Sequence, residues 1–242
     1  MLDPDATRGT ATHVPPPAAT GGTFASPHAL QILTTEHWSL LAARSLGYTE
    51  AMSRATIYVA ALTGSVVALA LVGQATDFDD AFTAFALVLL PVVFFLGAAT
   101  IARLAQVNWE DASWVQGMNR IRHPYLDLAP ELEPYFVTSK YDDDRGVLTS
   151  TLGVSKIVPG VQAFIALPGV VAVLDSVVAG AIAGVAARWL EFGTAGIVAS
   201  GAVTFVVVLV AFAAFAMTMI GALRRRIVVR FPSPPDAAGP AG

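Results

Sequence analysis

The sequence predicts an all-α integral membrane protein: a four-helix bundle built as two plus two spans, with a small helical cytoplasmic segment. Three observations carry that expectation. Hydrophobic residues fill 55% of the 242 positions and charged residues only 13%, whereas a globular domain is about 25% charged. Mean hydropathy is +0.64. The apolar residues are also gathered into four long runs, where a soluble core would spread them at helical or strand spacing.

The runs cover residues 56–75, 81–102, 160–187 and 195–222. At about 1.5 Å per residue, ~20 residues cross a hydrocarbon core of roughly 30 Å, and each run reaches that length. Ahead of them, residues 1–27 hold Asp3, Asp5 and the Pro15-Pro16-Pro17 run. They lack the apolar centre of a leader peptide and are expected to be a disordered tail, so the first span is expected to act as its own insertion signal. Ser26-Pro27 is a helix start, with serine as N-cap and proline in the first turn. Leu30, Leu33, His37, Leu40, Leu41 and Arg44 follow at helical spacing around Trp38. They predict an amphipathic helix over 28–46, within a segment 28–48, lying on the membrane surface or against the protein's own cytoplasmic region. Gly47 is expected to break that helix and Thr49 to cap the next.

Residues 49–103 are then expected to form the first transmembrane hairpin, 104–159 a cytoplasmic segment, 160–223 the second hairpin and 224–242 a basic, then disordered, tail. In the middle segment, Leu104, Val107, Trp114, Val115, Met118 and Ile121 continue the helical stripe of span two, and Pro124 is predicted to end it. Asp142-Asp143-Asp144 ahead of Gly146 reads as a solvated acidic loop, because the alternating ligands and distal glutamate of a calcium loop are missing. The segment is too short for an ordinary independent domain and is expected to pack as a small cap.

Basic residues set the orientation. Arg44 and Arg54 precede span one; Arg103, Arg120, Arg122, Lys140, Arg145 and Lys156 lie between spans two and three; Arg224, Arg225, Arg226 and Arg230 follow span four. The loop 76–80 carries three acids and no base, and the loop 188–194 one of each. Both termini and the middle segment are thus predicted to face the cytoplasm, as alternation of four spans also requires. Arginine well above lysine, with abundant alanine and valine, points to a bacterial protein of the plasma membrane. The net charge of −4 provides no basic field for nucleic acid. Cysteine is absent, which excludes disulfides, thiolate metal sites and cysteine nucleophiles. His13, His28, His37 and His123 form no metal-spaced pair, and no phosphate loop, dinucleotide fingerprint or hydrolase motif occurs. No enzyme activity, cofactor or metal is expected. The expected partners are the bilayer and further copies of the chain.

Asp175 stands out because it falls near the middle of span three, where an aspartate costs about 2.5–3.5 kcal/mol on insertion scales. It reads either as an ion or proton site or as hydrogen-bonding glue between helices, with Thr204 among the conceivable partners. Pro91 and Pro168 are predicted inside spans two and three, where each would free a carbonyl, on Leu87 and Phe164, as kinks or pathway elements. Small residues recur every four positions: Gly180 and Gly184 in span three, Ala60, Gly64 and Ala68 in span one, Gly196, Ser200 and Thr204 in span four. Such rows let helix backbones approach. Arg224, Arg225 and Arg226 are expected to anchor span four at the inner headgroups.

Residues 33–75 and the stretch Met118-Asn119-Arg120-Ile121-Arg122 resemble a family of uncharacterised bacterial four-span membrane proteins. The shorter stretch Leu90-Pro91-Val92-Val93-Phe94-Phe95-Leu96-Gly97 is similar to the pore neck of bestrophin chloride channels, where a phenylalanine follows a proline three residues on. Bestrophins also have four spans, cytoplasmic termini and a cytoplasmic region between spans two and three, though a much larger one. That resemblance implies a homo-pentameric anion channel with Phe94 and Leu90 lining the neck. The residues themselves favour a membrane protein acting by assembly or partner binding, with a homo-oligomeric channel or small transporter as the alternative.

Overall fold

The structure, a computed structural model, describes residues 26–152, 166–226 and 228–234. These residues form helices and loops, with no strand among them. In chain order they are α1 (Pro27–Ala75), α2 (Asp80–Leu128), a 3-10 helix (Pro130–Tyr135), α3 (Asp144–Leu152), α4 (Leu167–Trp189) and α5 (Thr194–Arg226). Four of them, α1, α2, α4 and α5, are long and apolar enough to cross a membrane. The chain is an all-helical membrane protein, and a helical bundle fits it.

Three helix boundaries differ from the sequence reading. α1 passes through Gly47 without a break. A glycine inside a helix costs about 1 kcal/mol relative to alanine, and the good helix formers on either side outweigh that. α2 likewise passes through Pro124 and ends at Leu128. A proline near a helix end removes only its own bond to the preceding turn, and the Ala129 N–H still donates to the Tyr125 carbonyl at 3.1 Å. α2 stops where Pro130 opens the 3-10 helix. Finally, Pro168 lies in the first turn of α4, not inside a longer helix. An N–H in that turn has no intrahelical partner, so proline is accommodated without a kink. Phe164 and the rest of the predicted start of span three lie outside the described residues.

The chain divides into two compact units. One takes the described residues of 48–107 and 157–219. Its core is Ala51, Ala55, Tyr58, Ala86, Leu90, Val93, Ile101, Leu104, Val107, Val171, Ala172 and Val178. On α1 the buried face runs Ala51, Ala55, Tyr58 and Ser65, with Leu62 and Leu69 half-buried beside it, a three-and-four spacing that keeps one side turned inward. The turn between α1 and α2 holds Asp77 and Phe78 at positive φ, 48° and 57°. The Phe78 ring packs edge-on against Phe82 at 5.0 Å, and Asp79 caps α2 by accepting the N–H groups of Ala81 and Phe82 at 2.9 and 3.1 Å. The Arg188 guanidinium donates to the Phe78 carbonyl at 2.5 Å, tying the two short loops together.

The other unit takes the described residues of 1–47, 108–156 and 220–242. The first half of α1 packs here antiparallel to the second half of α2. Thr34 meets Tyr125 at 3.4 Å, Leu40 packs on Gly117, and Arg44 grips Asp111 at 2.6 Å. The amphipathic segment therefore lies against the protein's own middle segment. Val115, Met118 and Val147 form a small core with Leu40 beside them.

Candidate functional site

Asp175 sits on α4 with no exposure to solvent. Its Oδ1 accepts a hydrogen bond from the Tyr58 hydroxyl of α1 at 3.2 Å. Its Oδ2 has no hydrogen-bond partner among the described residues. On α2, Gly97 makes the room for this carboxylate. A Cβ there would collide with Asp175 and come within 2.8 Å of the Tyr58 ring. Three helices thus converge on one acid: α4 supplies the carboxylate, α1 the donor, and α2 the empty space. Neighbouring hydroxyls are turned back into their own helices, Ser176 to the Ala172 carbonyl at 2.7 Å and Thr100 to the Leu96 carbonyl at 2.7 Å. The partner of Asp175 is therefore Tyr58, not Thr204. Tyr58 was legible as the hydroxyl-bearing member of the Ala51, Ala55, Leu62 face, but only the contact makes it the donor.

The other residues singled out in the sequence do not join this cluster. Pro91 is exposed within a continuous α2. Leu90 is buried in the unit's own core and Phe94 packs half-buried against it. Gly180 does bring α4 and α5 together: a Cβ on it would stand 2.8 Å from the Gly201 carbonyl. Gly184 meets Ile197 at ordinary contact distance, 3.8 Å. Gly64 has no atom within 4 Å of where a Cβ would stand. Ala60 and Gly64 are exposed and Ala68 is half-buried. Arg224, Arg225 and Arg226 fall in the last turn of α5, and their side chains lie outside the described residues.

A second cluster was not expected as a site at all. Asp142 is fully buried rather than solvated. Its carboxylate accepts the N–H of Arg230 at 3.0 Å and of Phe231 at 2.7 Å, and pairs with the Arg120 guanidinium at 2.5 Å. Its own N–H donates to the Phe231 carbonyl at 3.1 Å. Gln116 donates to the carbonyls of Asp142 and Val228, and Arg120 also donates to Val228. Asp143 accepts the Ser233 N–H at 2.8 Å and its hydroxyl at 3.0 Å. It also caps α3 through the Gly146 N–H at 2.7 Å. The His123 ring stacks on Phe231, centroids 4.0 Å apart. Asn119, fully buried, holds the corner in place by donating to the Tyr141 carbonyl at 2.8 Å. The stretch from Met118 to Arg122 thus lies at the heart of a clasp on the chain's C-terminal segment. The acidic triplet looked like a loop because the segment that Asp142 and Asp143 hold lies about 90 residues away in sequence.

Each unit also holds a charged site of its own. Glu50 receives Arg103 through both oxygens, at 2.9 and 2.8 Å, and Arg54 at 2.9 Å. The hydrogen bond from Arg103, then that from Arg54, pulls its carboxyl down to about 2 from the usual 4.5. In the other unit, burial first and the Arg122 charge second lower the pKa of His37, and burial and Arg44 lower that of Arg122. Among the described residues no cluster of three or more histidines or acids is placed to hold a metal.

These features define a class: a multi-pass membrane protein with four apolar helices and a separately packed polar helical unit. Compared with protein-family models, curated proteins and solved structures, the chain matches none.

Proposed function

We propose that this chain is a non-enzymatic multi-pass protein of the bacterial plasma membrane that acts by assembly, with copies of itself as its partners. The enclosure of Asp175 carries the structural, non-transport part of this reading. Its carboxylate spends one oxygen on Tyr58 and fits the gap left by Gly97, the arrangement of a group that holds helices together. Leu90 and Phe94, the residues that would line a channel neck, pack into the core of a single chain. The basic residues flanking the spans support cytoplasmic termini. The test is the mass of the purified protein in lipid nanodiscs, with ion flux and thermal stability measured for Asp175→Asn and Asp175→Leu. The expected result is a defined homo-oligomer without flux, retained by Asn and weakened by Leu. A monomer, or ion flux that depends on Asp175, would overturn it.

One observation favours a second reading. Oδ2 of Asp175 is fully buried without a protein partner, and an intramembrane acid with spare acceptor capacity is where an ion or proton pathway would have its charge. On that reading the assembly is a homo-oligomeric channel or small transporter, and Asp175→Asn changes the selectivity or pH dependence of flux while the oligomer persists.

A further inference from the structure

Among the described residues, Arg44, Arg103, Arg120 and Arg122 are the half-buried arginines. The first three each meet a carboxylate, on Asp111, Glu50 and Asp142. Arg122 does not. Its side chain has a neutral partner, the amide oxygen of Asn119, to which Nη1 donates at 2.7 Å. We propose that Arg122, with His37 and Arg44 beside it, forms a binding site for a phosphate-type oxyanion.

The antiparallel packing of α1 on α2 brings these groups together. Thr34 meets Tyr125, and Leu40 packs on Gly117. His37 stands one turn after Thr34 and Arg122 one turn before Tyr125, so the two share a level between those contacts. Arg44 lies two turns further along α1, held by Asp111. Burial first, then the Arg122 charge, lowers the pKa of His37. Burial first, then the Arg44 charge, lowers that of Arg122. The cluster is thus basic on both helices, and its one acid, Asp111, is committed to Arg44. Charges taken from water are normally paired. An anion held between α1 and α2 supplies the missing counter-charge and relieves the repulsion between the basic groups.

The donors are also set in place. Asn119 is fully buried, and its amide is fixed from both ends. Its Nδ2 donates to the Tyr141 carbonyl at 2.8 Å, and its Oδ1 accepts the Ser150 hydroxyl at 3.1 Å as well as Arg122. The guanidinium is therefore held by one corner, and its other N–H groups have no partner among the described residues. Such a fork matches two oxygens of one anion. His37 adds Nδ1, a buried ring nitrogen without a protein partner, and a neutral imidazole protonated there is a donor. Donors from two helices suit the tetrahedral oxygens of a phosphate better than a planar carboxylate. The clustered positive charge favours a doubly charged anion over chloride. A free phosphate and the phosphate of a lipid headgroup present the same chemistry.

The full-length protein in nanodiscs of zwitterionic phosphatidylcholine is titrated with inorganic phosphate, or with chloride at matched ionic strength. Calorimetry reads binding, and the melting temperature rises with any ligand that binds the native state. Saturable phosphate binding is expected, without a chloride counterpart. Arg122→Gln should weaken it roughly tenfold or more, and His37→Ala should weaken it less. Arg122→Lys keeps the charge without the fork, and should bind with intermediate affinity whether or not the Gln variant folds. Arg145→Gln, on the exposed side of α3, should bind phosphate as the unaltered protein does. A second set of discs carries phosphatidic acid and no free phosphate. A rise in melting temperature there, lost in Arg122→Gln, would support the site with a headgroup as its source. Equal phosphate binding by the unaltered protein and both Arg122 variants would be that of an adventitious ion only and would overturn the site. So would the absence of any response to phosphate and to phosphatidic acid.

Discussion

Asp142 and Asp175 are both fully buried, one in each unit, and their surroundings differ in kind. Asp142 is surrounded by donors: two backbone N–H groups and a guanidinium. Asp175 has one hydroxyl, one oxygen without a protein partner, and a glycine that clears space for it. The polar unit accommodates a buried carboxylate because the non-helical segment 228–233 brings free N–H groups to it. The apolar bundle has none to bring, since every helical N–H within a span is committed to its own helix. It accommodates an acid by shape and supplies a single side-chain donor.

The comparison is broken most easily at Asp142. Asp142→Ala leaves Arg120 without its carboxylate and the N–H groups of Arg230 and Phe231 without their acceptor, and each donor left unsatisfied costs about 1–3 kcal/mol. The expected outcome is a lower melting temperature and rapid protease clipping near residue 230. A clipping rate equal to that of the unaltered protein would show that the clasp does not hold the segment.

Gly97→Ala comes next. Its methyl group has nowhere to go except into the carboxylate and the Tyr58 ring, and overpacking costs typically about 1–3 kcal/mol. Gly64→Ala, with open space beside it, is the control and should raise thermal stability in detergent slightly, because alanine is the better helix former. Equal losses at both positions would mean that room for Asp175 is not what Gly97 provides.

Tyr58→Phe removes only the hydroxyl, and interhelical hydrogen bonds in membranes average ~0.6 kcal/mol. A small drop in melting temperature is expected, and Asp175→Leu should add little when combined with it. Strict additivity of the two losses would argue that the groups are not coupled.

The smallest effect belongs to Glu50. Its folded pKa of about 2 lies below the reference 4.5. The stability it contributes is thus fully present above pH 4.5 and lost as pH falls from there through about 2. The advantage of the unaltered protein over Glu50→Gln should shrink across that window and weaken with added salt, because the triad is partly exposed. An advantage that grows on acidification would contradict the ion triad.

Much of the fold was legible because membrane insertion is read from local composition. Four apolar runs separated by polar loops name four helices whatever their packing, since each must satisfy its backbone bonds internally. Asp175 stood out for the same reason, as a charge costs most where its neighbours are apolar. Boundaries at Gly47, Pro124 and Pro168 were misjudged because a breaker's effect depends on its place in the helix, which the residue type alone does not reveal.

What only the tertiary structure decided are the pairings across long separations. Tyr58 and Asp175 are 117 residues apart, and Asp142 and Phe231 are 89 apart. A carboxylate reads the same in a sequence whether it meets water, a phenol or the backbone of a distant segment. The acidic triplet looked solvated and the C-terminal segment looked like tail for this reason. Composition sets the cost of burying a charged group, and the fold alone supplies the partner that offsets it.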